Sequence, residues 1–253
     1  MIKDSLGDRM KIYECVARTK LVRRTPAIIR VDGKAFHTLT RGMTKPYDSA
    51  FIRCMQETAL QLCKQIQGAQ LAYVQSDEIS VLLVDYQNLN SESWFDSQVQ
   101  KMVSISASIA TSVFTEEFRA AFFDKYAAGA RPMFDSRVFN MPREEVANYF
   151  VWRQQDATRN SIQMLGQAYF SHKQLHKLSC EQIQEKLFQE HGINWSAEPT
   201  YFKRGACAVR TSLVTKDQVV VGRDHWTIDY NIPVFTQDRD YIERLVFPPE
   251  DEA

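Results

Sequence analysis

Two β-branched runs that each end in a carboxylate constrain this chain more than any other feature. One is Ile28-Ile29-Arg30-Val31-Asp32-Gly33; the other is Tyr73-Val74-Gln75-Ser76-Asp77-Glu78, running into Ile79-Ser80-Val81-Leu82-Leu83-Val84. Such runs read as buried strands, so Asp32 and Asp77 are expected to meet at one edge of a shared sheet. Two aspartates there could hold a divalent ion, with the carbonyl of Gly33 approachable beside them. Hard oxygen donors of this kind suit Mg²⁺. Asp-Gly and Ser-Asp-Glu equally suit ordinary turns, and the residues alone leave both readings open.

Around these runs the pattern is α/β. Residues 8–24 read as a helix with apolar Met10, Tyr13, Val16 and Ala17, and Ala27–Val31 as the first strand. Asp48 is a candidate N-cap for a helix whose stripe is Phe51, Ile52, Met55, Ala59, Leu62 and Ile66, closed by Gly68. Leu71–Gln75 and Glu78–Val84 form a hairpin with Ser76-Asp77 at its tip. A second helix, from about Phe95 to Phe114, carries Val99, Met102, Val103, Ile105, Ile109 and Val113, and Ser136–Asn140 supplies a closing strand. That order is a split βαβ sheet. Beyond Pro142 the chain is helical to about Gln189, with capping boxes at Ser171/Gln174 and Ser179/Gln182. Tyr201–Arg210 and Gln218–Ile228 then make a hairpin before an acidic end after Pro248-Pro249. The expected organisation is a palm-like catalytic region over 1–141 and a helical and hairpin region over 142–253 packed on it as one compact unit.

A hydrophobic fraction of 44% over 253 residues supports a packed interior without staples. The five cysteines are scattered and odd in number, which favours a reducing compartment. No apolar run approaches bilayer length, so a cytoplasmic protein without a membrane partner is expected. Lys+Arg and Asp+Glu both number 31, so net charge gives no sign of a nucleic-acid partner. Any basic surface must be local; Arg18, Lys20, Arg23 and Arg24 form one cluster and Lys203-Arg204 another. His172, His176 and Cys180 fall at i, i+4 and i+8, a zinc-like spacing, but the capping box at Ser179 interrupts the helix and no fourth ligand is evident. Trp152, Trp195 and Trp226 read as core.

The chain resembles the tRNA-His guanylyltransferase superfamily, which adds nucleotides to tRNA 5′ ends in the 3′-to-5′ direction. The resemblance runs through Arg30-Val31-Asp32-Gly33-Lys34-Ala35-Phe36-His37, Lys45-Pro46-Tyr47-Asp48, Gln75-Ser76-Asp77-Glu78, Phe134-Asp135-Ser136-Arg137, Arg153-Gln154-Gln155-Asp156, Gly192-Ile193-Asn194-Trp195 and Lys203-Arg204-Gly205. It implies a polymerase-like palm and catalysis with two Mg²⁺ ions. Asp32, Asp77 and the Gly33 carbonyl would be ligands, and Glu78 a catalytic ligand or support. It further implies that His37, Lys45, Asp48, Ser76, Lys101 and Arg137 lie near the nucleotide, that ATP or GTP activates a 5′-monophosphate, and that other NTPs serve as substrates. The partner would be tRNA, intact or 5′-truncated, and the assembly a homotetramer.

One stretch departs from the family. Where eukaryotic members carry His-Ile-Asn-Asn, this chain has Thr158-Arg159-Asn160-Ser161. The resemblance is therefore to the guanylyltransferase-like branch that repairs 5′-truncated tRNA on a template, rather than to the histidine-tRNA-specific enzymes. Rival readings are the same palm used for cyclisation or 3′-end polymerisation, and a tRNA-end-binding protein without catalysis.

Overall fold

The computed structural model describes residues 5–214 and 220–247, with side chains described up to Thr211 and from His225 in the last hairpin. The palm opens with α1 (Leu6–Cys15), β1 (Ala27–Gly33), α2 (Phe36–Leu39), α3 (Ser49–Gln65), β2 (Ala69–Gln75) and β3 (Glu78–Leu83). It continues through α4 (Val99–Ala121), α5 (Phe123–Ala127) and β4 (Phe134–Asn140). There follow α6 (Arg143–Tyr169), α7 (His172–Leu175), α8 (Cys180–His191), α9 (Thr200–Arg204), β5 (Ala206–Val214), β6 (Val220–Asp229) and α10 (Asp240–Val246). The strands form one sheet in the order β4-β1-β3-β2-β5-β6, antiparallel at every pairing. The expected split βαβ palm is present, and β5 pairing with β2 carries the same sheet into the C-terminal region.

Alternation along the strands gives the sheet two apolar faces. Ile29, Val31, Val74, Ile79 and Val81 pack on α3 and α4 through Met55, Leu62 and Phe114. Ile28, Tyr73 and Leu82 pack the other way, against Phe150 of α6 and Ile242 of α10. At 27 residues α6 outruns the sheet, and its second half packs Ile162 and Leu165 against Ile183, Leu187 and Phe202.

Several expected boundaries move. The first helix ends at Cys15, because Thr19–Leu21 runs extended along the start of α4: Leu21 N donates to Ser97 O at 2.9 Å and Val99 N to Thr19 O at 3.0 Å. Its apolar residues Met10, Tyr13 and Val16 are exposed. On α4 the buried stripe is Met102, Ser106, Ala110, Phe114 and Phe118, not the branched residues at Ile105 and Val113. Small residues face inward there because β4 approaches closely enough for Ser106 Oγ to lie 2.7 Å from Ser136 Oγ. Tyr201 is helical, in α9, so the last hairpin starts at Ala206 rather than Tyr201. Gln218 and the acidic end lie outside the described residues. Both capping boxes form as read. Trp226 is buried, whereas Trp152 is 52% exposed with the Arg153 guanidinium stacked 3.7 Å from its ring. All five cysteines are free, and among the described residues no helix is long and apolar enough to cross a membrane.

Candidate active site

The two carboxylate-bearing strand ends meet as their sequence predicts. Register pairs Asp32 of β1 with Glu78 of β3 on one side and with Asp135 of β4 on the other. Ser76 takes the left-handed conformation at φ 50°, which lets β2 turn into β3 in two residues and places Asp77 at the tip. Gly33 N donates to Asp77 O at 2.9 Å, tying the tip to the end of β1. Glycine is required at 33, since a Cβ there would stand 2.5 Å from the Phe36 ring.

The acids then diverge. Glu78 is buried and clamped: its Oε2 accepts from Arg153 NH1 at 2.9 Å and lies 3.0 Å from Arg30 Nε, an ion pair too poorly aligned to be a hydrogen bond. Arg30 NH2 also donates to Asp32 Oδ2 at 2.9 Å, and Arg153 NH2 to Asp156 Oδ2 at 3.1 Å. Arg159 closes the chain on Asp156. Asp77 has no ion pair among the described residues, and burial, aided by the nearby charge of Asp32, raises its pKa above the ordinary carboxylate value. Burial raises Glu78 too, opposed by Arg153 and Arg30.

Asp77 faces a cleft of about 490 Å³. His37, Lys45, Asp48 and Ser76 line it as well, so five of the expected site residues share one cavity. Asp48 caps α3 through Ala50 N and Phe51 N, at 3.0 and 3.2 Å, while its second oxygen accepts from Thr44 N at 3.2 Å. Lys125 Nζ holds the loop after α2 by donating to Arg41 O at 2.6 Å. The opposite wall comes from Asn160 and Ser161 of α6 with Tyr201 and Phe202 of α9. Gly205 brings that wall close: at φ +83° it runs so near β2 that a Cβ would meet Val74 O at 2.4 Å, while Tyr73 Oη donates to Arg204 O at 2.7 Å.

Asp32, Gly33, Glu78, Lys101 and Arg137 do not line the cleft. Arg137 lies over the outer side of Asp32, 3.2 Å from Asp135 and 4.0 Å from Asp32. Lys101 is exposed near the start of α4, 5.7 Å from the Phe95 ring centroid. The basic clusters have structural uses: Lys20 pairs with Asp96, Arg23 donates to Ser91 O, Lys203 to Ser196 O and Arg204 to Ile232 O. His172 ends up in α7 and Cys180 opens α8, so the zinc-like triplet does not share a helix. The clamp arginines Arg30 and Arg153 and the cleft amides Gln56 and Gln75 carried no role in the sequence reading. Arg153 stood in a family stretch, but nothing local says that its partner is Glu78, 75 residues away.

Among the described residues no three His, Cys, Asp or Glu side chains form a group able to hold a metal alone. Mg²⁺ does not need one, since it commonly takes one or two carboxylates and completes its shell with water and phosphate oxygens. Asp32 and Asp77, two carboxylates whose strand ends are joined through Gly33, with no ion pair on Asp77 among the described residues, fit that requirement.

A family profile described as Thg1, tRNAHis guanylyltransferase, matches residues 7–142. The chain belongs to the tRNA-His guanylyltransferase family. That membership makes it a nucleotidyltransferase. The tRNA(His) guanylyltransferase of Debaryomyces hansenii is 32% identical over 213 residues, covering 78% of each chain. A bacterial guanylyltransferase-like protein solved in complex with ATP superposes with a TM-score of 0.85 at 44% identity, covering 96% of this chain and all of that one. One solved with GTP gives 0.83 at 40% identity with the same coverage. In this guanylyltransferase-family chain the matched profile ends just after β4, so it covers every strand that carries an acid of the site.

Proposed function

We propose that the chain is a template-dependent 3′-to-5′ nucleotidyltransferase that adds nucleotides to the 5′ end of tRNA, repairing truncated ends. The observation that carries this reading is the Asp77 carboxylate, without an ion pair among the described residues, tied to Asp32 through Gly33 and opening on a cleft lined by His37, Lys45, Asp48 and Ser76. Asp32, Asp77 and the Gly33 carbonyl would hold two Mg²⁺ ions. Bound there, Mg²⁺ supplies charge stabilisation for pyrophosphate departure and makes an attacking hydroxyl more acidic.

The chain's own residues do the positioning. Lys45 offers countercharge to phosphates in the cleft, and Arg137, on the outer side of Asp32, can grip a phosphate with two donors. Lys101 adds a third cation at the start of α4. Glu78, fixed by Arg30 and Arg153, orients Asp32 through Arg30. In the first step the 5′-monophosphate would attack the α-phosphate of ATP or GTP, breaking its bond to the β-phosphate and releasing pyrophosphate; in the second, the 3′-hydroxyl of the incoming NTP would attack the activated 5′-phosphate, forming the phosphodiester and releasing AMP or GMP. Both are phosphoryl-type displacements dominated by charge stabilisation and alignment, so one centre can serve twice. The apolar residues exposed along α1 suit a homotetramer that covers them.

Templating is favoured over histidine-specific guanylate addition because, within Thr158-Arg159-Asn160-Ser161, Arg159 and Ser161 are already committed within the fold. Arg159 is paired with Asp156, and Ser161 Oγ accepts from Trp195 Nε1 at 3.1 Å while its one proton lies between Thr158 O at 2.8 Å and Lys203 O at 3.1 Å. Base pairing with the opposite strand would then select the nucleotide. The test is a tRNA lacking its first 5′ residue, incubated with Mg²⁺ and each NTP in turn, with products mapped from the 5′ end. C opposite should direct G, and A opposite should direct U. G added opposite A with histidine tRNA preferred, extension at the 3′ end, or tRNA binding without pyrophosphate release would each overturn the reading.

A further inference from the structure

Trp152 reads as core in the sequence, yet the fold leaves it 52% exposed. Its position is nonetheless fixed. The Arg153 guanidinium stacks on it, 3.7 Å from the ring centroid, and that guanidinium is itself held by Glu78 Oε2 at 2.9 Å and Asp156 Oδ2 at 3.1 Å. The Tyr149 ring meets it edge-on, with centroids 5.9 Å apart and planes at 69°, and Tyr149 Oη lies 2.8 Å from Ser80 Oγ of β3. Two anchored groups thus hold the ring from the protein side, and its other side is open to solvent. A large flat ring presented in this way offers stacking area at little cost in side-chain freedom.

Its neighbours place the ring beside the acids. Tyr149 packs on Phe139 of β4, with centroids 5.8 Å apart, so Trp152 lies on the flank of α6 nearest the β4 edge. Alternation puts Arg137 on the same face of β4 as Phe139, and Arg137, half exposed, lies 4.0 Å from Asp32. The cleft, by contrast, adjoins the end of β2 through Val74, Gln75, Ser76 and Asp77. The strand order β4-β1-β3-β2 therefore sets Asp32 and Asp77 between the cleft on one side and Arg137 with Trp152 on the other. An in-line displacement brings the attacking and leaving groups to opposite sides of the phosphorus. With a triphosphate in the cleft and pyrophosphate leaving into it, the attacking 5′-phosphate of the RNA arrives from the β4 side. There Arg137 supplies countercharge and Trp152 an aromatic face.

We propose that Trp152 is the stacking platform for the base of the RNA's 5′-terminal nucleotide, seating the helix end while Arg137 contacts the 5′-phosphate. This rests on the nucleotidyltransferase reading above and adds to it the residue that holds the RNA end. Stacking accepts every base, since each has a π-face, which suits an enzyme that takes its sequence information from the opposite strand. In the seated end the ring stands where the next base will stack, so it holds the end until the incoming nucleotide replaces it.

The test is equilibrium binding of a 5′-monophosphorylated tRNA lacking its first residue. Its new 5′ end carries each of the four bases in turn, paired with its complement, or an abasic site, and the proteins are the full chain, Trp152→Ala and Trp152→Phe. The unmodified chain should bind the abasic end roughly tenfold more weakly than any paired end, the scale of one base stacked on an aromatic ring. Trp152→Ala should lose the same factor on all four paired ends and nothing on the abasic end, and Trp152→Phe, which keeps a ring, should recover most of it. Binding of a paired end should also quench tryptophan emission; Trp94 and Trp226 are buried, and the quench should vanish in Trp152→Phe and with the abasic end. Equal losses on paired and abasic ends in Trp152→Ala would overturn the proposal, by showing that the ring only shields the Arg153 ion pairs. Equal binding of paired and abasic ends by the unmodified chain would overturn it as well, without any variant having to fold. Absence of binding to every truncated end by the unmodified chain would overturn the tRNA reading along with it.

Discussion

Asp77 and Glu78 are neighbours in sequence and opposites in surroundings. Glu78 projects to the α6 face of the sheet, where Arg30, Arg153, Asp156 and Arg159 form a continuous set of ion pairs. Asp77 stands at the turn beside the cleft, where a carboxylate without an ion pair and the side chains of Gln56 and Gln75 line the same open space. The lesson is that polarity alone does not mark a site. The ion-pair face is rich in charge and pairs that charge internally, although Arg30 Nε and Arg153 Nε are buried without a hydrogen bond, so it acts as scaffold; the cleft carries less charge and leaves its groups open to what enters.

The most severe way to break this contrast is to remove the ligand carboxylates. Asp77→Ala and Asp32→Ala should each reduce nucleotide addition by a hundredfold or more, about 3 kcal/mol of transition-state stabilisation, with the fold intact. Single-turnover rates beside thermal unfolding measure both halves of that expectation. Near-normal turnover in either folded variant would remove that residue from the metal site.

The scaffold side calls for the reverse signature, a loss of stability. Arg153→Met leaves Glu78 buried with its imperfect pairing to Arg30 and a long 3.4 Å bond from Ser80 Oγ, and should cost about 3 kcal/mol, read as a lower denaturant midpoint. The loss should shrink in acid. Without Arg153 the folded-state pKa of Glu78 rises further above its unfolded value, so the penalty is full at pH values above the folded pKa and fades as pH falls through it. A pH-independent loss would mean that the stacking of Arg153 on Trp152, rather than its charge, is what matters.

The smallest effect sharpens the cleft side. Asp77→Asn without added metal should stabilise the protein at neutral pH, because the raised pKa of Asp77 means that its charged form is disfavoured by folding. The gain should be full above the folded pKa and vanish as pH falls below the ordinary carboxylate range, where Asp77 is protonated in both states. Denaturant midpoints across pH, with a chelator present, measure it. Destabilisation at neutral pH would show that Asp77 is paired after all.

Much of this was legible in the chain. The alternation around Asp32 and Asp77 set the strands and their meeting, because period-two burial and a two-residue turn are local properties. Asp48 as the N-cap of α3 and both capping boxes were legible for the same reason. The α4 stripe was misread because its inward residues, Ser106 and Ala110, are chosen by how closely β4 approaches, and hydrophobicity does not encode that distance. Likewise α1 has apolar residues but no partner among the described residues, since a pattern states that a face can be buried and not by what.

The sequence by itself determined the strand ends, the acids they carry and the family to which these belong. Only the tertiary structure decided what each acid does. Glu78 meets Arg153 across 75 residues while Asp77 beside it opens on a cleft, and whether a buried polar atom is satisfied depends on partners that chain folding, not chain order, brings within hydrogen-bonding range.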